Sequence, residues 1–266
     1  WVSTVQQGTV VYLLGAGGCG MSGLGHLLLD SGLEIAGSDL QINAAARQLR
    51  ARGADIQLGH SPAHMERCHP ALVVYTSALR TGNPALELAR KMGIPLVRRA
   101  TLLAALMHHK CRGVCVAGMH GKTTTTALLV HALIELGAKP SYAVGGEVTQ
   151  WERPARLDDG DGFFVVETDE SDGTLREFHA EQAIVLNIDE EHLDYYANFE
   201  AVCEEFIKFA RQTTGTIIYC ADDPRLAELY GSRDNAISYG FNLTADYRVE
   251  IQPGNGFVVW KHETRL

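Results

Sequence analysis

Short apolar runs alternate with segments of helical periodicity along most of this chain. The first run, Val10–Leu14, ends at Gly15, and Leu24, Leu27 and Leu28 then recur at a spacing that places them on one helical face. Further apolar runs follow at residues 33–36, 71–75 and 94–97. This alternation predicts a parallel sheet with helices packed against it in the N-terminal part of the chain.

A second series of strands and helices begins at residues 114–117, where an apolar run enters a new glycine turn and a long helix stopped by Gly137. A helix with one apolar face is predicted from Phe199 to Phe209. Apolar residues that alternate on either side of Pro253–Gly256 predict an antiparallel hairpin at the end. Buried strands are predicted at residues 163–166, 183–188 and 216–220.

Composition excludes several classes of protein. The chain is 46% hydrophobic and 21% charged, as in ordinary globular proteins, and its net charge of -9 is unfavourable for binding nucleic acid or acidic membranes. No apolar run approaches the roughly 18 residues of a membrane span and no leader-like segment opens the chain, so a cytoplasmic protein is expected. Six irregularly spaced cysteines predict reduced thiols, and Cys111 and Cys115 lack the second pair that a zinc site with His108 and His109 would need.

The first glycine turn has the sequence pattern of a diphosphate site. Residues 15–20 satisfy G-x-G-x-x-G directly after a strand and before a helix, and Asp39 follows Gly20 by 19 residues. Glycines let the backbone approach a diphosphate, and the N-terminus of the helix attracts its charge. A tight turn without a ligand, with Asp39 as a helix cap, is the alternative. The candidate residues are Gly15, Gly17, Gly18, Cys19, Gly20 and Asp39.

The second turn resembles a nucleotide-binding P-loop without its first glycine, since Val116 occupies that position. Lys122 is placed to reach the β and γ phosphates, and the Thr123 hydroxyl is placed to bind Mg²⁺. Glu167 follows a predicted strand and would lie beside this turn in a parallel sheet. A chance Gly-Lys-Thr and a solvated acidic loop are the alternatives. The candidate residues for ATP are Gly118, Met119, His120, Gly121, Lys122, Thr123 and Thr124.

The two turns define the predicted domains. An N-terminal Rossmann-like parallel-sheet domain is expected over residues 1–110, and a P-loop ATPase-like α/β central domain ending in a β-hairpin over residues 111–266. The boundary is placed where residues 107–113 turn polar and basic.

Further motifs accompany the two turns at characteristic spacing. They are Gly17–Gly23, Gly37–Asp39, Gly59–His60, Thr76–Ala78, Gly118–Thr124, Glu167–Asp172 and Asn187–Asp194. In combination they resemble the Mur ligases over nearly the whole chain. The resemblance implies an ATP- and Mg²⁺-dependent ligase of peptidoglycan precursor synthesis, with an N-terminal domain for a UDP-sugar, a central domain for ATP and a C-terminal domain for the amino acid.

The resemblance also implies roles for individual residues. Lys122 would bind phosphate, Thr123 and Glu167 would hold one Mg²⁺, and His192 with Glu167 would serve a second. Lys122 and His192 are thus the expected catalytic residues, and Ser77 joins the first turn in binding the UDP moiety. Met119 stands where the family usually has Thr, and we expect its side chain to shape the loop more than to contact phosphate.

The Gly-Gly-x-Gly-Met-Ser-Gly turn favours the family branch that acts on UDP-N-acetylmuramate, ATP and L-alanine through an acyl phosphate. Residues 147–159 depart from that branch, so the tripeptide-recycling ligases stay an alternative. The chain begins at Trp1 and stops at Leu266, before the family's adenine-contact motif, so we expect a fragment without the C-terminal domain and without activity alone. A regulatory nucleotide-binding module and an NAD-dependent oxidoreductase are the remaining alternatives, although the latter leaves Lys122 and Glu167 without a role.

Overall fold

In a computed structural model of the chain, residues 6–76, 79, 82–110, 112–159, 162–193, 195–254 and 256–266 are described, the side chain of Lys110 excepted. The first sheet has five strands: β1 (Val10–Leu14), β2 (Glu34–Asp39), β3 (Asp55–Leu58), β4 (Leu72–Tyr75) and β5 (Leu96–Arg98). Their order is β3-β2-β1-β4-β5, and every pairing is parallel. These pairings confirm the predicted parallel sheet. Its central strand, β1, is almost wholly buried.

Five helices connect these strands and continue to the next sheet. They are α1 (Cys19–Asp30), α2 (Ala44–Ala51), α3 (Pro62–Cys68), α4 (Pro84–Lys91) and α5 (Arg99–Lys110). Local sequence explains where several begin: the Asn43 side chain caps α2, and Asn83 caps α4 with Pro84 in its first turn.

The second sheet contains ten strands and ends in antiparallel pairs. The strands are β6 (Arg112–Ala117), β7 (Ser141–Ala143), β8 (Ala155–Arg156), β9 (Phe163–Glu167), β10 (Gln182–Val185), β11 (Ile217–Cys220), β12 (Ala236–Gly240), β13 (Tyr247–Gln252), β14 (Gly256–Lys261) and β15 (Thr264–Arg265). Their order is β15-β14-β13-β12-β11-β10-β6-β9-β7-β8. The predicted hairpin is confirmed, because β13 and β14 pair antiparallel from Tyr247 with Lys261 to Gln252 with Gly256.

Three helices accompany this sheet: α6 (Lys122–Glu135), α7 (Phe199–Gln212) and α8 (Pro224–Tyr230). Helix α7 buries Val202, Phe206 and Phe209 on the face that the sequence predicts. The N-termini of α6 and α8 follow β6 and β11, so each begins at the carboxyl end of a parallel strand.

Two details differ from the sequence-based expectation. Helix α5 runs to Lys110 and β6 begins at Arg112, so the polar stretch at residues 107–110 closes a helix. Strand β10 ends at Val185, before the predicted end at residue 188. The Leu186 N–H still donates to the Ala117 carbonyl, and Asn187 then turns its side chain to the second glycine turn.

The chain divides into two compact units. One comprises residues 1–111 and 127–166, and the other comprises residues 112–126 and 167–266. The domain boundary at residue 110 stays a prediction. Within the described ranges, no helix is both long and apolar enough to cross a membrane.

Candidate functional site

The first glycine turn joins β1 to α1 and is held by the end of β2. The backbone N–H groups of Gly15 and Ala16 donate to the Ser38 carbonyl at 2.9 and 3.1 Å. Gly15 has a φ of 86°, which glycine adopts without strain. The turn therefore lies at the carboxyl end of a central parallel strand, where α/β folds bind ligands.

Asp39 and Asn43 fix the shape of this turn. The Gly17 N–H donates to Asp39 Oδ2 at 2.8 Å, and Asn43 Nδ2 donates to the Gly17 carbonyl at 2.8 Å. A Cβ at Gly17 would lie 2.9 Å from Asn43 Oδ1, so a larger residue would displace the side chain that braces the turn. Asp39 is thus a bracing residue in this structure, and the helix-cap role considered for it belongs to Asn43.

The remaining residues predicted for the first turn are placed as follows. Gly18 is the N-cap of α1, and Cys19 and Gly20 form its first residues with their N–H groups at the helix start. A Cβ at Gly20 would lie 3.0 Å from Nη1 of Arg99, which brings a guanidinium to the turn that sequence reasoning missed. Ser77 lies outside the described residues.

The second glycine turn, Gly118–Thr124, joins β6 to α6 and is braced by Asn187. The His120 N–H donates to Asn187 Oδ1 at 2.8 Å, and Asn187 Nδ2 donates back to the His120 carbonyl at 3.0 Å. Gly118 has a φ of 134°, and a Cβ there would lie 3.1 Å from the backbone of Asn187. The sequence singled out the Asn187–Asp194 motif, but it gave Asn187 no role.

The side chains of this turn divide between packing and solvent. Met119 is buried. His120 is exposed, with Nε2 3.3 Å from Glu191 Oε1, and Thr124 is exposed in the first turn of α6.

Lys122 is folded against the turn and paired with a buried carboxylate. Its Nζ donates to the carbonyls of Gly118 and Met119 at 2.6 and 3.1 Å, and to Glu170 Oε1 at 2.9 Å. Thr123 Oγ1 donates to Glu167 Oε1 at 2.9 Å. The structure therefore brings Thr123 and Glu167 together, as the sequence predicts.

Glu170 is the acidic residue on which the cluster centres. Its side chain is 1% exposed, Oε1 lies 3.4 Å from His192 Nε2, and Oε2 has no hydrogen-bond partner among the described residues. Burial raises the pKa of Glu170 above its usual range, and Lys122 opposes that shift. The sequence placed Glu170 only in an acidic rim, because burial cannot be read from a run of acidic residues.

His192 joins this cluster in a strained backbone conformation. Its φ is 58°, in the left-handed region that non-glycine residues seldom adopt. Such strain persists where the surroundings determine the conformation, often at functional sites. Here the His192 carbonyl accepts from the backbone N–H groups of Tyr195 and Tyr196 at 2.9 and 3.0 Å.

The donor atoms of this cluster fit Mg²⁺. Thr123 offers a hydroxyl oxygen, Glu167 a carboxylate, and Glu170 a buried oxygen without a partner in the described part of the chain. Oxygen ligands of this kind are those that Mg²⁺ prefers. The Asp172 carboxylate is engaged elsewhere, because it accepts hydrogen bonds from the Thr174 N–H and hydroxyl at 3.2 and 2.6 Å.

A cavity of about 770 Å³ opens at the carboxyl ends of β10 and β11. It is lined by Asn187, Ile188, Asp189, Asp223, Pro224 and Arg225, among others. Its volume lies in the range of small-molecule sites. Asn187 lines the cavity and also braces the second glycine turn, so the cavity adjoins that turn. The sequence did not indicate this cavity.

Comparison with known proteins agrees with these features. The family described as "Mur ligase family, catalytic domain" matches residues 10–111, and "Mur ligase middle domain" matches residues 116–261. A protein of Kineococcus radiotolerans named UDP-N-acetylmuramate--L-alanine ligase is 42% identical over 92% of this chain and 53% of its own length. A protein of the same name from Aquifex aeolicus is 38% identical over 90% of this chain and 52% of its own length.

Solved structures show the same fold. UDP-N-acetylmuramate-alanine ligase from Thermotoga maritima matches 96% of this chain and 59% of its own, with a TM-score of 0.83 and 27% identity. The UDP-N-acetylmuramate:L-alanyl-gamma-D-glutamyl-meso-diaminopimelate ligase from Neisseria meningitides matches 97% of this chain with a TM-score of 0.87, at 22% identity, which shows the fold alone. The chain spans about half the length of the curated relatives it matches. Because the two family models together match most of the chain, this chain belongs to the Mur ligase family.

Proposed function

We propose that the protein joins L-alanine to UDP-N-acetylmuramate at the expense of ATP, and that this chain supplies its UDP-sugar and ATP sites. Relatives that are 38–42% identical over at least 90% of the chain carry the name of that activity. The observation that carries the proposal is the cluster at the second turn, where Lys122 and Thr123 meet Glu170 and Glu167. A binding module needs no such convergence of a lysine, a hydroxyl and two carboxylates.

The first turn is proposed to bind the diphosphate of the UDP-sugar. Cys19 and Gly20 bring their backbone N–H groups to the N-terminus of α1, which favours an anion, and the glycines at positions 15, 17 and 18 let the backbone approach it closely. Asp39 holds Gly17 in position, and Arg99 supplies a cation beside Gly20. Ser77 is also proposed to contact the UDP moiety.

ATP is proposed to bind at the second turn, since members of this family use ATP. Residues 118–124 would enclose its phosphates, and the cavity lined by Asn187 and Asp223 is of a size to accept the nucleoside. Lys122 Nζ would give up its hydrogen bonds to the carbonyls of Gly118 and Met119 and donate to phosphate oxygens instead. Thr123, Glu167 and His192 would hold Mg²⁺, with Glu170 added by the structure, and the metal would neutralise charge on the phosphates.

In the proposed reaction, the carboxylate of UDP-N-acetylmuramate attacks the γ-phosphate of ATP, which gives an acyl phosphate and ADP. The amine of L-alanine then attacks the acyl carbon, and phosphate leaves through a tetrahedral intermediate. Both steps concentrate negative charge beside Lys122, so its ammonium stabilises charge that develops during the reaction. The protein is proposed to act in the cytoplasm, as the family resemblance implies.

Ligand-dependent thermal stability tests the assignment of the first turn. UDP-N-acetylmuramate is expected to raise the unfolding temperature of this chain, and NAD is expected to leave it unchanged. Stabilisation by NAD alone would favour an oxidoreductase. Stabilisation by a UDP-sugar carrying the tripeptide, with none by UDP-N-acetylmuramate, would favour a tripeptide-recycling ligase.

A further inference from the structure

Three potential metal ligands, one on the edge strand β3 and two on the helix that follows it, have ligand atoms within 4.8 Å of one another. Asp55 lies on β3, and His64 and Cys68 are four residues apart on α3, which places them on one helix face. His64 Nε2 is 3.1 Å from Asp55 Oδ2 and 3.7 Å from Cys68 Sγ, and Cys68 Sγ is 3.9 Å from Asp55 Oδ2. The proposed ligase chemistry uses none of these residues.

The spacing of the three atoms suits a tetrahedral ion. Metal–ligand bonds of about 2.0–2.3 Å place the ligand atoms roughly 3.3–3.7 Å apart. The observed separations of 3.1, 3.7 and 3.9 Å lie at or just outside the limits of that range, so small side-chain movements would bring the three atoms to ligand distances. Sulfur contacts at 3.7 and 3.9 Å are weak hydrogen bonds, so they do not explain why the three atoms converge.

His64 is already oriented for ligation. Its side chain is 1% exposed, and its Nδ1 lies 2.9 Å from the hydroxyl of the fully buried Tyr12. A metal-bound histidine characteristically donates its second ring N–H to an oxygen acceptor, which fixes the tautomer and the ring. Tyr12 provides that oxygen and leaves Nε2 directed at Asp55 and Cys68.

The surroundings leave room for a fourth ligand. Asp55 and Cys68 line a cavity of about 530 Å³, and the Asp55 side chain is 62% exposed. Water from that cavity can complete a tetrahedron. One thiolate and one carboxylate balance the charge of a divalent ion, while the histidine binds as a neutral ligand.

We propose that Asp55, His64 and Cys68 form a Zn²⁺ site with an open fourth position, separate from the phosphate-binding turns. On binding, the Cys68 thiol releases its proton to water and an S–Zn bond forms, without any change of oxidation state. The ion ties β3 to α3. Sulfur, imidazole and carboxylate together are typical ligands of Zn²⁺, whereas Mg²⁺ takes oxygen ligands.

Cobalt(II) titration tests this site, because a thiolate–cobalt bond gives a charge-transfer absorption that an oxygen site does not. Excess Mg²⁺ is added to the buffer to occupy the proposed site at Glu167. The chain is expected to bind one Co²⁺ with this absorption, and added Zn²⁺ is expected to abolish it. Cys68→Ser should remove the absorption, while Cys220→Ser, at another partly buried thiol, should retain it. No absorption in the folded chain, or its survival in Cys68→Ser, would overturn the proposal.

Two further variants keep the test decisive if Cys68→Ser fails to fold. Asp55→Asn changes an exposed side chain and should weaken Co²⁺ binding while the metal-free unfolding temperature stays near that of the parent. Tyr12→Phe should retain the absorption and weaken affinity by about 10- to 100-fold, as for other partners of metal-bound histidines. Unchanged Co²⁺ affinity in Asp55→Asn would also overturn the proposal.

Discussion

Replacing Lys122 with methionine should separate two roles that the structure gives this lysine. Its ammonium is placed to bind the phosphates of ATP, and it also pairs with Glu170, whose side chain is 1% exposed. A charge-assisted contact is worth about 1.5–3 kcal/mol. Since about 1.4 kcal/mol changes affinity tenfold, Lys122→Met should raise the Kd for Mg-ATP by about 10- to 100-fold.

The same substitution should also lower stability. Among the contacts described, Glu170 Oε1 would keep only the His192 imidazole, at 3.4 Å, and Oε2 has no hydrogen-bond partner among the described residues. An uncompensated buried polar group costs about 1–3 kcal/mol, so the free energy of unfolding should fall by about that amount. Adding Glu170→Gln removes the buried charge, and the double variant should therefore recover most of the stability.

Calorimetry with a non-hydrolysable ATP analogue and urea unfolding measure the two effects. Lys208→Met is the matched control: Lys208 pairs with the buried Glu205 at 3.3 Å, and Arg176 remains to contact Glu205 at 3.2 Å. The control should alter neither quantity appreciably. ATP affinity restored in the double variant would refute the reasoning, because Lys122 would then act only through Glu170.

Three shorter predictions concern the rest of the molecule. Burial and the neighbouring Arg52 lower the pKa of His26 from 6.5 to about 4, so the unfolded chain takes up the proton first. The free energy of unfolding should fall by roughly 3 kcal/mol as pH decreases from about 7 to about 4, and His26→Gln should lose this dependence in urea titrations. Gly17→Ala should cost about 1–3 kcal/mol through its clash with Asn43 and abolish the thermal shift with the UDP-sugar. Glu167→Gln should weaken Mg-ATP about tenfold but leave metal-free ATP unchanged by calorimetry in EDTA, as expected for loss of one charge-assisted contact.

The sequence predicted those parts of the fold that depend on local patterns. Apolar runs bounded by glycine predicted β1 and β6, and alternation around Pro253–Gly256 predicted the terminal hairpin. The meeting of Thr123 with Glu167 was also predictable, because carboxyl ends of neighbouring parallel strands share one edge of the sheet.

Other features depended on tertiary packing and were not predictable. Glu170 sits in an acidic run, and only the structure shows that it is buried against Lys122. Asn187 follows a strand whose apolar pattern continues past its hydrogen-bonded end, so its bracing contact with His120 was hidden. Arg99 approaches Gly20 from a different helix, with no sequence pattern that links them.

The most direct test of the proposed function is ADP release by the whole native protein supplied with UDP-N-acetylmuramate, L-alanine and Mg-ATP. The account predicts ADP release that requires both substrates, a product with the mass of UDP-N-acetylmuramoyl-alanine, and loss of activity in Lys122→Met with Lys208→Met unaffected. Binding of both nucleotides without ADP release would contradict the ligase assignment and favour a regulatory module. ADP release with a tripeptide but not with L-alanine would contradict the proposed substrate.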